Sequence, residues 1–172
     1  MLIAVLALVL AFSETLGKKA QTEGLSDNIE AANLWSFYQA KTIRQTAIRT
    51  ALESAELGTA DRTAPEARAA LDKRMAAWRD TIARYESEPS TGEGRKELMS
   101  RAHEAEQRRD RSLAAYHQYE LASAALQIAV VLASAEIITG AVFLLWIGGA
   151  LGLVGVAFCL IGFFAPQALH LF

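Results

Sequence analysis

The chain is divided into long blocks of apolar and of charged residues. Apolar side chains fill its start, Met1 to Phe12, and dominate its end, Leu121 to Phe172, where Glu136 is the only formally charged side chain. Residues 14–120 carry all other charges and are rich in Ala, Glu and Arg. Because about 20 apolar residues cross a bilayer once, the end of the chain is long enough to cross twice. The pattern predicts a membrane protein with a long water-exposed segment.

The charged segment has the spacing of α-helices. Apolar residues recur at steps of three and four, with Ile43, Ala47 and Ala51 as one such row, and no period-2 strand pattern occurs. Strong helix formers dominate the segment, and the chain has only 3 prolines. We therefore predict an all-α protein with three transmembrane helices and a long antiparallel helical hairpin that resembles a coiled coil.

Glycine and proline residues divide the helices. Gly58 ends the first, a capping box of Thr63 and Glu66 around Pro65 starts the second, and residues 87–94 interrupt the chain again. The predicted segments are a first transmembrane span at 1–16, an arm at 17–57, a tip at 58–63, a returning arm at 64–119 with a kink at 87–94, further transmembrane spans at 120–139 and 141–165, and a short tail at 166–172.

The lengths of the arms favour one of two arrangements. A chain that leaves the membrane near Gly17 and returns near Glu120 makes an even number of long passes. The outbound arm would be about 60 Å long, and the two later helices together about 73 Å. These lengths match if residues 87–94 form a kink. In the alternative arrangement, the second helix folds back as a third layer.

The first apolar run lacks the basic leader and the small-residue cleavage site of a signal peptide, so we expect an uncleaved span. Met1 to Leu16 would be about 24 Å long, which is short for a hydrocarbon layer of about 30 Å. The helix is therefore expected to begin at the far interface, or to be preceded by further residues.

Four blocks of residues stand in an order that is found in a known family. They are residues 17–23 (GKKAQTE), 35–41 (WSFYQAK), 82–86 (IARYE) and 126–134 (LQIAVVLAS). With these blocks the chain resembles, over almost its whole length, the uncharacterised bacterial membrane proteins grouped as DUF4337. The resemblance implies a multi-pass protein of the bacterial inner membrane, and it brings no catalytic residue.

Two aromatic and two basic residues lie three residues apart on the first arm. These are Trp35, Tyr38, Lys41 and Arg44. They are interpreted either as an anchor for a partner or lipid headgroups, or as hairpin packing in which Trp35 and Tyr38 meet Leu98, Ala102 and Ala105 while the two cations extend into water. A heptad seam is predicted on the second helix, formed by Leu71, Met75, Trp78, Ile82 and Tyr85.

Glu136 is an ionisable residue inside a predicted span. Such a group costs a few kcal/mol and is typical of ion paths and proton relays. It lies three residues before Thr139, so it would also be able to reach the interface or to cap the last helix. Gln127, Ser134 and Thr139 are the only other polar residues near it at membrane depth, which is a poor lining for a channel.

Small residues repeat at steps of four and three along the last span. They are Gly148, Gly152, Gly155, Cys159 and Gly162. Such a face lets helix backbones approach closely in lipid, so we predict helix packing there, against either the second span or a neighbouring subunit. A stalk seam and a membrane groove together favour a homo-oligomer.

Several kinds of chemistry are not predicted. The sequence has no phosphate-binding loop, no His-Glu-x-x-His motif and no nucleophile with an evident base, so we expect no enzyme, no cofactor and no metal site. His103 and His117 are about 21 Å apart along one helix and cannot share a metal. Arg108, Arg109 and Arg111 are expected to be a solvated face, not a nucleic-acid site.

Charge also bears on orientation. The basic residues that flank the apolar segments all lie on the stalk side, which favours a cytoplasmic stalk. The first functional hypothesis is a non-enzymatic, self-associating scaffold or accessory subunit of a larger membrane assembly, in contact with lipid. The alternative is a small transporter or channel component that uses Glu136 and the glycine-lined face.

Overall fold

The chain forms four α-helices in the computed structural model, which describes residues 1–58 and 65–168. They are α1 (Leu2–Gly58), α2 (Pro65–Glu86), α3 (Arg95–Thr139) and α4 (Val142–Phe164). The described residues contain no strand, so the prediction of an all-α chain is confirmed for them. Most of the predicted tip, and Thr63 of the predicted capping box, lie outside the described residues.

The ends of the helices follow local backbone chemistry. α1 ends at Gly58, and α2 begins at Pro65, whose missing N–H is harmless in a first turn. α3 ends before Gly140, which has a φ of 68° and donates its N–H to the Glu136 carbonyl at 2.8 Å. A residue of positive φ closes many helices in this way, and glycine adopts it without strain.

Two of the helices, α3 and α4, are long and apolar enough to cross a membrane. The sequence predicts three spans, with the first at 1–16, but α1 is not among the helices that qualify. The physical reason is length, because its apolar run ends at Phe12, before the charged Glu14, and falls short of about 20 residues. The third span therefore stays a prediction.

The helices form two compact units, and α1 and α3 contribute to both. Unit 1 comprises Met1–Asn28 and Glu106–Phe172, and unit 2 comprises Ile29–Ala105.

In unit 2, α1 pairs with the rest of the unit in one antiparallel order. Glu56 accepts a hydrogen bond from Arg79 at 2.6 Å, and Gln45 donates one to the Ile82 carbonyl at 3.0 Å. Further back along α1, Leu34 packs with Leu98. Partners thus follow in sequence from α2 into α3 as α1 is traced backwards, so α2 is not a third layer on top of α3 in this unit.

The row that starts at Ile43, whose spacing predicts a helix, is not the packed side of α1 in unit 2. Ile43 is 70% exposed, and the packed positions are instead Ala31, Leu34, Lys41, Gln45 and Leu52. Both rows have helical spacing, but only the second faces α2 and α3.

Candidate functional site

The interior of unit 1 is built mainly from small residues. Ala122, Ala129 and Ser13 have no exposed surface, and Ala133 is almost fully buried. Leu6 and Leu126 are the larger residues of this cluster. The helices therefore approach one another closely along α3.

Large apolar side chains cover the outer surface of one part of unit 1. They lie on the first turns of α1 and on the apolar parts of α3 and α4, and include Leu8, Phe12, Val131, Ile138, Phe143, Trp146, Leu153 and Phe164. This part of unit 1 has small residues inside and large apolar residues outside. A water-soluble protein usually has the reverse arrangement, with its large apolar residues inside.

The glycine face of α4 is occupied by the same chain. Gly148, Gly152, Gly155 and Gly162 are buried. A Cβ atom added at Gly155 would lie 2.6 Å from Leu126 Cγ, and one added at Gly148 would lie 3.1 Å from the Ala129 carbonyl oxygen. The sequence left open whether this face meets the second span or another subunit, and the structure places α3 and Leu6 of α1 against it. Cys159, on the same face, is half-buried.

Polar contacts in unit 1 join α1 to α3. The Ser13 hydroxyl donates to the Tyr119 carbonyl at 3.0 Å, and the Ser123 hydroxyl donates to Ser13 Oγ at 3.0 Å. Gln127 donates to the Glu14 carboxylate at 3.3 Å. Buried hydroxyls need such partners, and here they fix how α1 lies against α3.

Glu136 does not cap α4. The N-cap of that helix is Ala141, and no side-chain hydrogen bond caps it within the described part of the chain. The glutamate lies one turn before Gly140, half-buried, so the capping alternative is wrong. Its predicted access to the membrane interface stays a prediction.

Trp35 and Tyr38 pack in unit 2. Both lie against the buried cluster of Leu34, Ala102 and neighbouring residues of α3. Trp35 meets His103 edge to face, with ring centroids 5.3 Å apart, and meets Tyr38 at 5.5 Å. These are the contacts that the packing interpretation expects. Arg44 is exposed.

Lys41 is buried, and the expectation that it extends into water is wrong. It is 8% exposed, donates to the Glu93 carbonyl, lies 3.7 Å from the Glu93 carboxylate and faces the Tyr85 ring at 5.6 Å. Its partners lie 44 to 52 positions further along the chain. A buried ammonium needs both hydrogen bonds and a counter-charge, and residues 87–94 supply them.

Gln45 and Arg95 extend this polar cluster. Gln45 is 3% exposed and accepts a hydrogen bond from Arg95 at 2.6 Å. Arg95 also donates to the Glu86 carboxylate and to the Tyr38 hydroxyl, both at 3.0 Å. We call this group the elbow cluster, because it joins α1 to the end of α2 and the start of α3. Its members are Tyr38, Lys41, Gln45, Glu86 and Arg95.

Glu97 closes the elbow from the first turn of α3. Its carboxylate accepts a hydrogen bond from the Ser87 hydroxyl at 2.5 Å and one from the Glu88 N–H at 3.2 Å. The Ser87 hydrogen bond is the largest cause that lowers the pKa of Glu97 below its usual value. The carboxylate therefore fixes the end of α2 to the start of α3.

Gln45, Arg95, Glu93 and Glu97 are not predicted from the sequence. One signal was present, because Gln45 follows Tyr38 and Lys41 at steps of three and four, as a packed position should. A polar residue at a packed position indicates a buried partner, but its identity depends on the tertiary fold.

The seam predicted on α2 lies on its less exposed side. Met75 is buried, and Leu71, Trp78, Ile82 and Tyr85 are partly buried. Arg74 lies over the Trp78 ring at 5.2 Å.

Two of the three arginines in the basic cluster pair with acids. Arg108 meets Asp27 at 3.1 Å and Arg109 meets Asp110 at 2.8 Å, both within ion-pair distance. Asp27 is not predicted from the sequence as a partner of these arginines. Within residues 1–58 and 65–168, no group of three or more His, Cys, Asp or Glu side chains is placed to hold a metal ion.

A protein-family model matches most of the chain. The family model described as "Domain of unknown function (DUF4337)" matches residues 1–165. No curated protein and no solved structure matches the chain.

Proposed function

The chain belongs to the DUF4337 family, and from this premise we propose that it is a non-enzymatic, multi-pass protein of a bacterial inner membrane that self-associates and acts as a scaffold or accessory subunit of a larger membrane assembly. The apolar part of unit 1 would be the membrane anchor, with the first turns of α1 contributing a third span. Unit 2 would belong to a water-exposed stalk.

The reversed arrangement of unit 1 carries this proposal. A Leu, Ile or Phe side chain left in water costs about 1.5–3 kcal/mol relative to burial. Many such side chains cover unit 1, and Ile138 and Trp146 are 86% and 78% exposed. An apolar surface of this kind is typical of a membrane or protein contact, and hydrocarbon would cover the outer sides of α4 and of the apolar part of α3 after Glu120.

The contacts of the first turns of α1 support a third span. Leu6 lies against Gly152 of α4, and Ser13 is fully buried beside Tyr119. A segment that packs along both qualifying helices would share their lipid environment. Its shortness would be met by residues that lie at the interface.

The elbow cluster supports a mechanical role for unit 2. Lys41, Gln45 and Arg95 form hydrogen bonds between α1, α2 and the start of α3. These side chains therefore stabilise the packing of the helices and are not free to bind a substrate. A helical pair held in this way offers surface to other proteins. The basic residues Lys18 and Lys19, which follow the first apolar run, favour a cytoplasmic position for the stalk.

Gentle purification tests the proposal. The natural-length protein, tagged at its carboxyl end, would be extracted from membranes in a mild detergent, and the particle mass and any accompanying proteins would be measured. We expect extraction only with detergent, and a particle heavier than one chain of 18.7 kDa plus detergent. A single chain without a stoichiometric companion, found also after capture from the membrane in small detergent-free particles, would contradict the scaffold role, and extraction by salt alone would contradict the membrane anchor.

A further inference from the structure

The outward side of α1 in unit 2 has no charge. Between Ile29 and Gly58 the helix has six charged side chains, which are Glu30, Lys41, Arg44, Arg49, Glu53 and Glu56. None of them lies in the row that we call the outer stripe, formed by Ile29, Ala32, Ser36, Ala40, Ile43 and Ala47. All residues of the outer stripe are exposed.

The position of the outer stripe makes this distribution informative. Its steps of three and four keep it within a sector roughly 80° wide, centred about 180° from the packed residues Leu34, Gln45 and Leu52. On a helix that faces water, the side opposite the packed face normally carries the charges. Here the charges lie elsewhere, and Ile29 and Ile43 are 54% and 70% exposed.

We propose that the outer stripe is the contact between two copies of this chain, with α1 beside α1, parallel and in register. This rests on the proposed function, because copies anchored in one membrane in the same orientation extend α1 in the same direction. The glycine face of α4 is already filled by α3 and Leu6, so self-association needs another surface.

Symmetry explains the absence of charge. In a parallel, in-register pair each residue near the axis meets its own copy, so any charge there would face the same charge. Ala32, Ser36 and Ala40 are small enough for two helices to approach closely. The side chains of Ile29 and Ile43 would fill the space on either side of them. A partner of different sequence would find no charge on the stripe to fix its register, whereas symmetry fixes it for a second copy.

The size of the contact determines where it forms. From Ile29 to Ala47 the stripe is about 27 Å long and roughly 10 Å wide, so each copy would bury roughly 300 Å², less than the ~800 Å² typical of a stable partner. Confinement to one membrane raises the effective concentration of the second copy and compensates for the small area. Association is therefore expected in membranes and is expected to weaken on dilution in detergent.

Cysteine cross-linking in membranes tests the register. Cys159 is the only cysteine, so Cys159→Ser gives a background without thiols. In that background, Ser36→Cys and Ile43→Cys are expected to form disulfide-linked dimers on mild oxidation. Arg49→Cys, exposed on another side of the same helix, is the matched control. We expect at least about tenfold more dimer at either stripe position than at Arg49, since a disulfide needs Cα atoms within about 7 Å.

A charge placed on the stripe tests its contribution. Two differently tagged copies are co-expressed and captured from membranes in small detergent-free particles. Ile43→Glu in both copies is expected to lower co-capture at least about tenfold, because the carboxylates would face each other, whereas Arg49→Glu is expected to leave it unchanged.

The outcomes separate the inference from the proposed function. Equal cross-linking at Arg49 and Ile43, or full co-capture of Ile43→Glu, would overturn the outer stripe while self-association through another surface stands. Failure of the unaltered copies to co-capture would overturn self-association itself. Absence of the chain from the membrane fraction would overturn the membrane anchor.

Discussion

Replacing Gly155 with alanine tests how closely α4 packs in unit 1. The added Cβ would lie 2.6 Å from Leu126 Cγ and 3.1 Å from the Ala122 carbonyl oxygen, well inside ordinary van der Waals contact. Leu126 has no exposed surface and Ala122 presents backbone, so neither can move without separating α3 from α4. Overpacking of this kind costs about 1–3 kcal/mol.

Gly149 is the matched control, one position after the glycine face. A Cβ added there meets nothing within 4 Å. Gly149→Ala is therefore expected to be neutral, or to stabilise the helix by up to about 1 kcal/mol. Both variants would be compared by thermal unfolding in detergent, followed by the helical circular dichroism signal, with repeated scans at two rates.

A double variant identifies the contact. Leu126→Ala alone is expected to destabilise by about 2–5 kcal/mol, but it makes room for the new methyl group. Gly155→Ala with Leu126→Ala should therefore lose less than the sum of the two single losses. Equal stability of Gly155→Ala and Gly149→Ala, or a purely additive double variant, would refute the close packing.

Three further predictions concern single side chains. Arg95→Met is expected to lower the free energy of unfolding by about 1–3 kcal/mol, because Gln45 loses a buried partner, whereas exposed Arg101→Met should change it by less than about 0.5 kcal/mol in the same denaturation assay. The folded-state pKa of Glu97 lies below its usual value of 4.5, so the stability that its carboxylate contributes is present above pH 4.5 and is lost as the pH falls through the folded pKa. When stability is measured as a function of pH, Glu97→Gln should therefore lose less stability below pH 4.5 than the unaltered protein. Identical pH dependence of the two proteins would contradict the Ser87 hydrogen bond. Glu136→Gln should leave assembly and vesicle ion flux unchanged, and a loss of flux with intact assembly would favour a transport role.

Local chemistry made the helices predictable from the sequence. Gly58, the interruption at 87–94 and Gly140 punctuate the chain, and each adjoins a helix end in the structure. These features act within a few residues, through φ angles and missing donors. The small face of α4 was likewise readable, because spacing alone places its glycines together.

What could not be predicted depends on contacts distant in sequence. Spacing shows that α4 has a small face, but not that Leu126 and Leu6 fill it. Lys41 was expected in water because its partner Glu93 lies 52 positions away. Two faces of α1 have helical spacing, and only tertiary contacts show that the face with Leu34 and Leu52 is packed and that Ile43 is exposed.

Depth measurements with spin labels test the lipid placement of unit 1 most directly. In a Cys159→Ser background, one cysteine at a time would replace the outward residues Leu8, Val131 and Leu153, and Arg49 for comparison. A spin label would then be attached to each of these cysteines. Molecular oxygen concentrates in hydrocarbon, so it should increase the relaxation rate of the labels at Leu8, Val131 and Leu153 more than a water-soluble nickel complex does. At Arg49 the nickel complex should have the larger effect. Relaxation of the Leu8, Val131 and Leu153 labels by the nickel complex as strongly as at Arg49 would contradict a membrane anchor.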